Sequence, residues 1–388
     1  MKKTDSESSI KTFCFSYIFI FPQAIKKIGI YCLTIFILIT LMTSIGDCMS
    51  MLVEQKDSID NLSFSHDGKK VVFDRCRNDG CQIQVYDLET GELEAYQSPK
   101  NERWTMGKYS YDGKQITFSV IPQKPQGGLD LGNMQIAVMD ADGKNYKKVT
   151  TGPGAKLYPT FSHNGKKILY ACAARIREKG KTPAADYDAW EVDLETGKQT
   201  QLTFFEYFYM SNLAYFPDDE RFIYYGDRPV RFNDISWYKD EKAFGKLVKE
   251  LSAQGKEIHG VVVMKVKELI KNPYDFPPKT YPEKPLLSKD GSILIYEKSF
   301  SGGKFYQYSE GVEHRLVHHA GSVQSVAISP NGDLLGICRD DSIFAMRVSD
   351  DAYYRGIFLR RFKDWHDKVV KMPYLRLLPE KPFRILNK

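Results

Sequence analysis

The chain has 388 residues, with 55 Lys and Arg against 49 Asp and Glu, and a formal net charge of +6. Beyond residue 49 the balance is 50 basic to 46 acidic. That near-balance gives no electrostatic footprint for a nucleic-acid partner.

The first marked element is residues 28–46, IGIYCLTIFILITLMTSIG, which are uncharged and mostly apolar. The stretch is about long enough to cross a bilayer as one helix. Lys26 and Lys27 precede it, and no basic residue follows closely. The positive-inside bias then leaves residues 1–27 in the cytoplasm and everything after the span outside, in the periplasm if the cell is Gram-negative. The run at 12–22 is shorter and is not expected to span alone. A rival fate is cleavage after the small residues of Ser44-Ile45-Gly46, which would make the span a signal sequence. Asp47 before Cys48 argues against a lipoprotein site.

From residue 58 one pattern recurs: apolar strand, tight polar turn, apolar strand. Its copies are LSFSHDGKKVVF (62–73), KYSYDGKQITF (108–118), PTFSHNGKKILY (159–170), LAYFPDDERFIYY (213–225), LLSKDGSILIY (286–296) and VAISPNGDLLGIC (326–338). Asp-Gly or Asn-Gly between apolar runs is a strong hairpin signal. Gly68, Gly113, Gly165, Gly291 and Gly332 supply the positive φ such turns need. Asp67, Asp112, Asn164, Asp290 and Asn331 can bond back to the turn backbone. The fourth copy has Asp218-Asp219 instead, which predicts a different or strained turn. A second hairpin follows several copies, as in QIQVYDLETGELEAY (82–96), MQIAVMDADGKNYKKVT (134–150) and DAWEVDLETGKQTQLT (188–203). One unit is therefore four antiparallel strands. Repeats of this size and strand content read as propeller blades, and a closed ring of them leaves few exposed sheet edges. The expected fold is all-β, a six-bladed β-propeller over 58–361, preceded by one N-terminal transmembrane or signal helix.

The F-S-x-D-G-x-x-I-x-F element followed by V-x-D-x-x-T-G resembles the TolB-like family of WD-repeat-related β-propellers. The resemblance implies the fold and is weak for function. The family's usual Pro before Asp-Gly stands only as Pro330, with Pro217 in the irregular copy; His66, Tyr111, His163 and Lys289 replace it elsewhere. The family's namesake carries an α/β domain before its propeller, whereas only a short stretch separates the apolar span from the first repeat here. Its partners are therefore not carried over.

Within the first repeat, Cys76 and Cys81 flank Arg77-Asn78-Asp79-Gly80, a turn signal that sets the two thiols opposite each other. A disulfide there suits an oxidising compartment. A metal site is the rival, but it lacks a second cysteine pair. Cys172 and Cys338 read as apolar fillers.

Blade geometry sends the a–b and c–d turns to one face and the b–c and d–a connections to the other. The short turns all belong to the first face. The long b–c loops are 121–133, 174–187 and about 226–259, and binding residues concentrate on such loops. The candidate binding residues there are Arg175, Arg177, Lys179, Lys181, Tyr187, Arg228, Arg231 and Trp237, since Arg and aromatic side chains favour interface hot spots. The third loop contains Phe244, Leu247, Val248 and Leu251 at helical spacing, with Gly255 as a stop, which predicts a partly helical insertion.

Asp140-Ala141-Asp142-Gly143 is a hairpin turn, short of the ligands of a calcium loop. His314, His318 and His319 lack a suitable third ligand, because Glu313 has the opposite strand parity. No metal or other cofactor is expected. There is no G-x-S-x-G elbow, Walker loop, H-E-x-x-H or dinucleotide fingerprint. Residues 355–388 hold ten basic and three acidic residues, so 362–388 reads as a basic tail that could touch anionic lipid or simply be solvated.

The reading that follows is a membrane-tethered, single-pass, non-catalytic propeller outside the cytoplasm. It would hold a protein or a surface polymer on its long-loop face. The rivals are a hydrolase or lyase with its site at the channel mouth, and an accessory subunit of an envelope complex.

Overall fold

The computed structural model describes residues 58–77, 80–176, 184–229, 246, 249–274, 276, 282–298, 305–315, 325–339, 342–347 and 357–361. The apolar span at 28–46, the segment before it and the tail at 362–388 lie outside the described residues. Among the described residues, no helix is long and apolar enough to cross a membrane.

The structure is nearly all β, and every strand pair in its sheets is antiparallel. The first sheet is β1 (Ser58–Phe64), β2 (Lys70–Arg77), β3 (Gly80–Asp87) and β4 (Leu93–Tyr96). The second is β5 (Glu102–Tyr109), β6 (Gln115–Pro122), β7 (Gln135–Asp140) and β8 (Lys147–Lys148). Next come β9 (Ala155–Phe161), β10 (Lys167–Ile176), β11 (Ala184–Asp193) and β12 (Gln199–Gln201). These join β13 (Tyr207–Tyr215), β14 (Arg221–Pro229), β15 (Gly260–Lys265) and β16 (Glu268–Leu269) in one eight-stranded sheet. The junction is a single pair, Tyr187 opposite Tyr207, so the sheet is two four-stranded units touching at one point. The last two sheets are β17 (Pro282–Leu287), β18 (Leu294–Lys298), β19 (Phe305–Ser309), β20 (Val312–Arg315), and β21 (Ser325–Ile328), β22 (Leu334–Arg339), β23 (Ser342–Arg347), β24 (Ile357–Arg361).

The apolar clusters lie between successive units. Val72, Ile83 and Val85 of the first sheet pack on Trp104, Ile116 and Phe118 of the second. Ile136 and Val138 of the second meet Phe161 and Tyr170 of β9 and β10. Ile295 and Phe305 meet Val326 and Leu335. Each such fully buried side chain contributes about 1.5–3 kcal/mol from water exclusion. The last sheet then returns to the first: Ile59, Leu62 and Phe64 pack with Ala327, Leu334 and Ile343. The Leu62 N–H donates to Ser325 Oγ at 2.8 Å.

The a–b turns share one hydrogen-bond pattern. In the first, Gly68 N–H donates to Ser65 C=O at 2.9 Å and Ser65 Oγ donates to Asp67 Oδ1 at 2.6 Å. Lys70 N–H returns to Ser65 Oγ at 2.9 Å. Ser110, Ser162, Ser288 and Ser329 repeat the role of Ser65. Their donated bonds hold Asp112 and Asp290 below the usual carboxylate range. The five turn glycines have φ between 71° and 77°.

The fourth turn keeps this backbone bond, from Asp219 N–H to Phe216 C=O at 3.0 Å, with Asp219 itself at φ 54°. A left-handed non-glycine residue costs about 1–2 kcal/mol. The Asp219 carboxylate offsets this by accepting the His163 N–H at 2.5 Å and the Asn164 N–H at 3.0 Å from the neighbouring unit. Asp219→Gly relieves the backbone but removes both bonds, so a net loss of about 1–2 kcal/mol is expected. Urea unfolding tests this; a variant more stable than the wild type would mean that the inter-unit bonds do not hold the turn.

Candidate functional site

Strands β1, β5, β9, β13, β17 and β21 line a central channel. One end of it is closed by the residues that precede the turn Asp or Asn. Tyr111 and His163 stack with ring centroids 3.7 Å apart. Lys289 Nζ donates to His66 Nδ1 at 2.8 Å and to the Tyr111 carbonyl at 3.1 Å. His163 Nε2 lies 2.9 Å from the Lys289 carbonyl, and the Lys289 N–H donates to the Pro330 carbonyl at 3.1 Å. The four positions where the turn motif lacks its proline therefore interlock across the turn end.

Above this stopper the lining strands carry a repeated bulge. Asn61, Met106, Tyr158, Asn212 and Lys284 all have φ between 50° and 61°, and each stands seven residues before its turn residue. The ladder shifts register beside each of them. Such bulges bend a strand and increase its twist, which an innermost strand needs to turn about a narrow axis. Five left-handed residues of this kind must be held by their surroundings. Asp74 on β2 does part of this. It accepts from Asn61 Nδ2 at 2.6 Å, from the Met106 N–H at 2.8 Å and from the Thr105 hydroxyl. The Tyr158 N–H then donates to Met106 Sδ at 3.3 Å, and the Tyr158 and Tyr209 hydroxyls bond at 3.0 Å. A polar belt thus runs from the first unit to the fourth.

Between the stopper and the bulges lies a cavity of about 300 Å³. Lys108 reaches across it from β5, with Nζ 3.3 Å from the Leu213 carbonyl of β13. Burial pulls the Lys108 ammonium down to about 8. Asp60 also lines the cavity. Burial raises its carboxyl, against the Asn61 N–H bond and the charge of Lys284. Lys284 Nζ is paired with Glu297 at 2.8 Å. Among the described residues, no group of three His, Cys, Asp or Glu could hold a metal ion.

The loop face is described in part. Arg175 is exposed on β10, its guanidinium 2.8 Å from Asp186. Tyr187 is buried in the core cluster shared by β10, β11, β13 and β14, edge-on to Tyr209. It packs between units and does not offer an exposed ring. Arg177, Lys179, Lys181, Arg231 and Trp237 lie outside the described residues; Arg228 falls within β14, with its side chain outside the description. Residues 174–176 and 184–187, read from sequence as loop, are strand. The core position of Tyr187 and its pairing with Tyr207 account for that extension of the ladder. The described part of the insertion is helical over 249–253. It ends with Gly255 at φ 66°, where Lys256 N–H donates to Leu251 C=O and Gly255 N–H to Ser252 C=O. That is a Schellman stop. Of the apolar stripe only Leu251 is described, half-buried.

Cys76 and Cys81 are disulfide-bonded across the β2–β3 hairpin, and Cys172 and Cys338 are free. His314 is exposed on β20, while His318 and His319 lie outside the described residues. Sequence reasoning missed Asp60, Asp74, Lys108 and Lys284. Asp60, Lys108 and Lys284 do stand on the strands that must be innermost, but at different distances before their turns, and Asp74 follows its turn on β2, so no single spacing marks them.

No protein-family model matches the chain, and no curated protein matches it. Solved structures do. TolB from Acinetobacter baumannii is 16% identical with a TM-score of 0.48, over 75% of this chain and 61% of that one. The chain thus spans less than two thirds of that protein's length. An oligogalacturonate lyase from Vibrio parahaemolyticus is 12% identical with a TM-score of 0.50, over 79% of this chain and 78% of that one. An oligogalacturonate lyase in complex with manganese is 14% identical with a TM-score of 0.49, over 77% and 78%. At these identities the likeness is one of fold, and that fold is a β-propeller.

Proposed function

We propose that this chain is a six-bladed propeller of the TolB-like, WD-repeat-related kind, tethered by residues 28–46 with its blades outside the cytoplasm. It acts as a non-catalytic module that binds a protein or surface polymer. One observation carries the reading: the turn end of the channel is stoppered by His66, Tyr111, His163 and Lys289, while β6, β10 and β14 run into their connections at the opposite end. A partner is therefore met by the loop face, on a scaffold whose strands fix the loop bases. Six contiguous four-stranded units, counting the eight-stranded sheet as two, support the blade count. The hairpin disulfide fits an oxidising compartment.

The test is crosslinking capture from membranes with tagged full-length protein. Arg175→Ala with Arg177→Ala, and separately Arg228→Ala with Arg231→Ala, should reduce capture of the partner at least about tenfold, as hot-spot arginines do. Melting temperature should stay unchanged. Capture that survives both pairs rules out this face. A second reading, an enzyme acting in the channel, draws on Asp60 and Lys108, two groups shifted toward neutrality in one cavity.

A further inference from the structure

We propose that the channel is a binding site for a small free monocarboxylic acid, its carboxylate seated on Lys108 Nζ. The inference stands apart from any partner on the loops. An ammonium has three N–H groups to place. Lys108 gives one to the Leu213 carbonyl, at a long 3.3 Å, and part of its surface faces the cavity. Among the described residues, none of its contacts is to a carboxylate. A charge drawn out of water without a counter-charge costs several kcal/mol, and an anion delivered to the cavity removes that cost.

The surroundings specify the anion. At the level of Lys108, the other inner strands contribute Ser63, Thr160, Ala214, Leu286 and Ala327. These are two hydroxyls able to donate and three small or apolar walls able to face a short hydrocarbon chain. Among the described residues that line the cavity, Lys108 is the lysine without an ionic or side-chain partner. Lys284 is paired with Glu297, and Lys289 is bonded to His66 and the Tyr111 carbonyl. Asp60 adds negative charge to the same cavity, which disfavours a dianion such as phosphate. The volume, about 300 Å³, lies at the lower end of small-molecule sites.

Calorimetric titration of the full-length protein in detergent with butyrate, butyramide and inorganic phosphate tests this. Butyrate should bind saturably, at least about tenfold tighter than either control. Lys108→Met keeps the apolar stem and removes the charge; it should weaken butyrate about 10- to 100-fold, the loss expected for a charge-assisted bond. Circular dichroism checks that the variant is folded. No saturable butyrate binding, equal affinity for butyramide or phosphate, or unchanged binding in Lys108→Met each overturns the proposal. If Lys108→Met fails to fold, the wild-type comparison of butyrate with butyramide decides alone.

Discussion

Leu62→Ala is expected to lower stability by about 2–5 kcal/mol, the range for truncating a buried leucine. The reason lies at the seam between the last sheet and the first. Leu62 is 5% exposed and belongs to the cluster that joins Ile59 and Phe64 to Ala327, Leu334 and Ile343. It approaches the bare Cα of Gly336 so closely that a Cβ there would come within 2.5 Å of Leu62 Cδ2. Among the described residues no ladder crosses the seam, because β1–β4 and β21–β24 form separate sheets. Side-chain packing and the Ser325 bond are what the described residues offer there. Leu93→Ala is the control: Leu93 sits on the outermost strand of the same sheet, packed only partly against the cluster. Urea midpoints compare the two. An equal loss in both would mean that the seam has no special weight.

The second large effect is a dependence on pH. Burial raises the Asp74 carboxyl from 3.8 to about 7, against the bonds from Thr105, Met106 and Asn61. Between those values the folded state holds a proton that the unfolded state has released. The stabilising contribution is therefore complete below pH 4 and is lost as pH rises through about 7. A shift of this size corresponds to about 4 kcal/mol at full expression. Asp188, raised to about 6 mainly by burial, acts in the same direction. Asp112 and Asp290, held low by their turn serines, act oppositely and only in acid. Denaturant unfolding from pH 5 to 8 should show stability falling across the range. Asp74→Asn should flatten most of that fall, whatever its absolute stability. A variant with the wild-type slope would exclude Asp74 as the titrating group.

The propeller strands were legible because their turns are local chemistry. Ser-x-Asp-Gly and its variant Ser-x-Asn-Gly close their own hydrogen bonds, so five copies could be read one by one. The fourth turn was legible as irregular, but not its remedy, because the groups that bond Asp219 belong to the neighbouring unit. The bulges were illegible for a related reason. Asn61 and Asn212 are of a type that tolerates the left-handed region, but Met106, Tyr158 and Lys284 are not, and the closing of strands about an axis imposes the φ all five share. Lys108 hid in the same way: on a strand of alternating residues it reads as one more solvated lysine. Tyr187 misled in the other direction, since an aromatic beside loop arginines is also what a core junction between two units requires.

The uneven reach of these contacts has a consequence in time. Nearly every ladder pairs strands adjacent in the chain, so each four-stranded unit can complete its hydrogen bonds as soon as it leaves the ribosome. The bond between Leu62 and Ser325 spans 263 residues and must wait for almost the whole chain. Until then Ile59, Leu62 and Phe64 present an uncovered apolar edge. The interval before ring closure is when a nascent chain is most open to proteases and to pairing with a second copy.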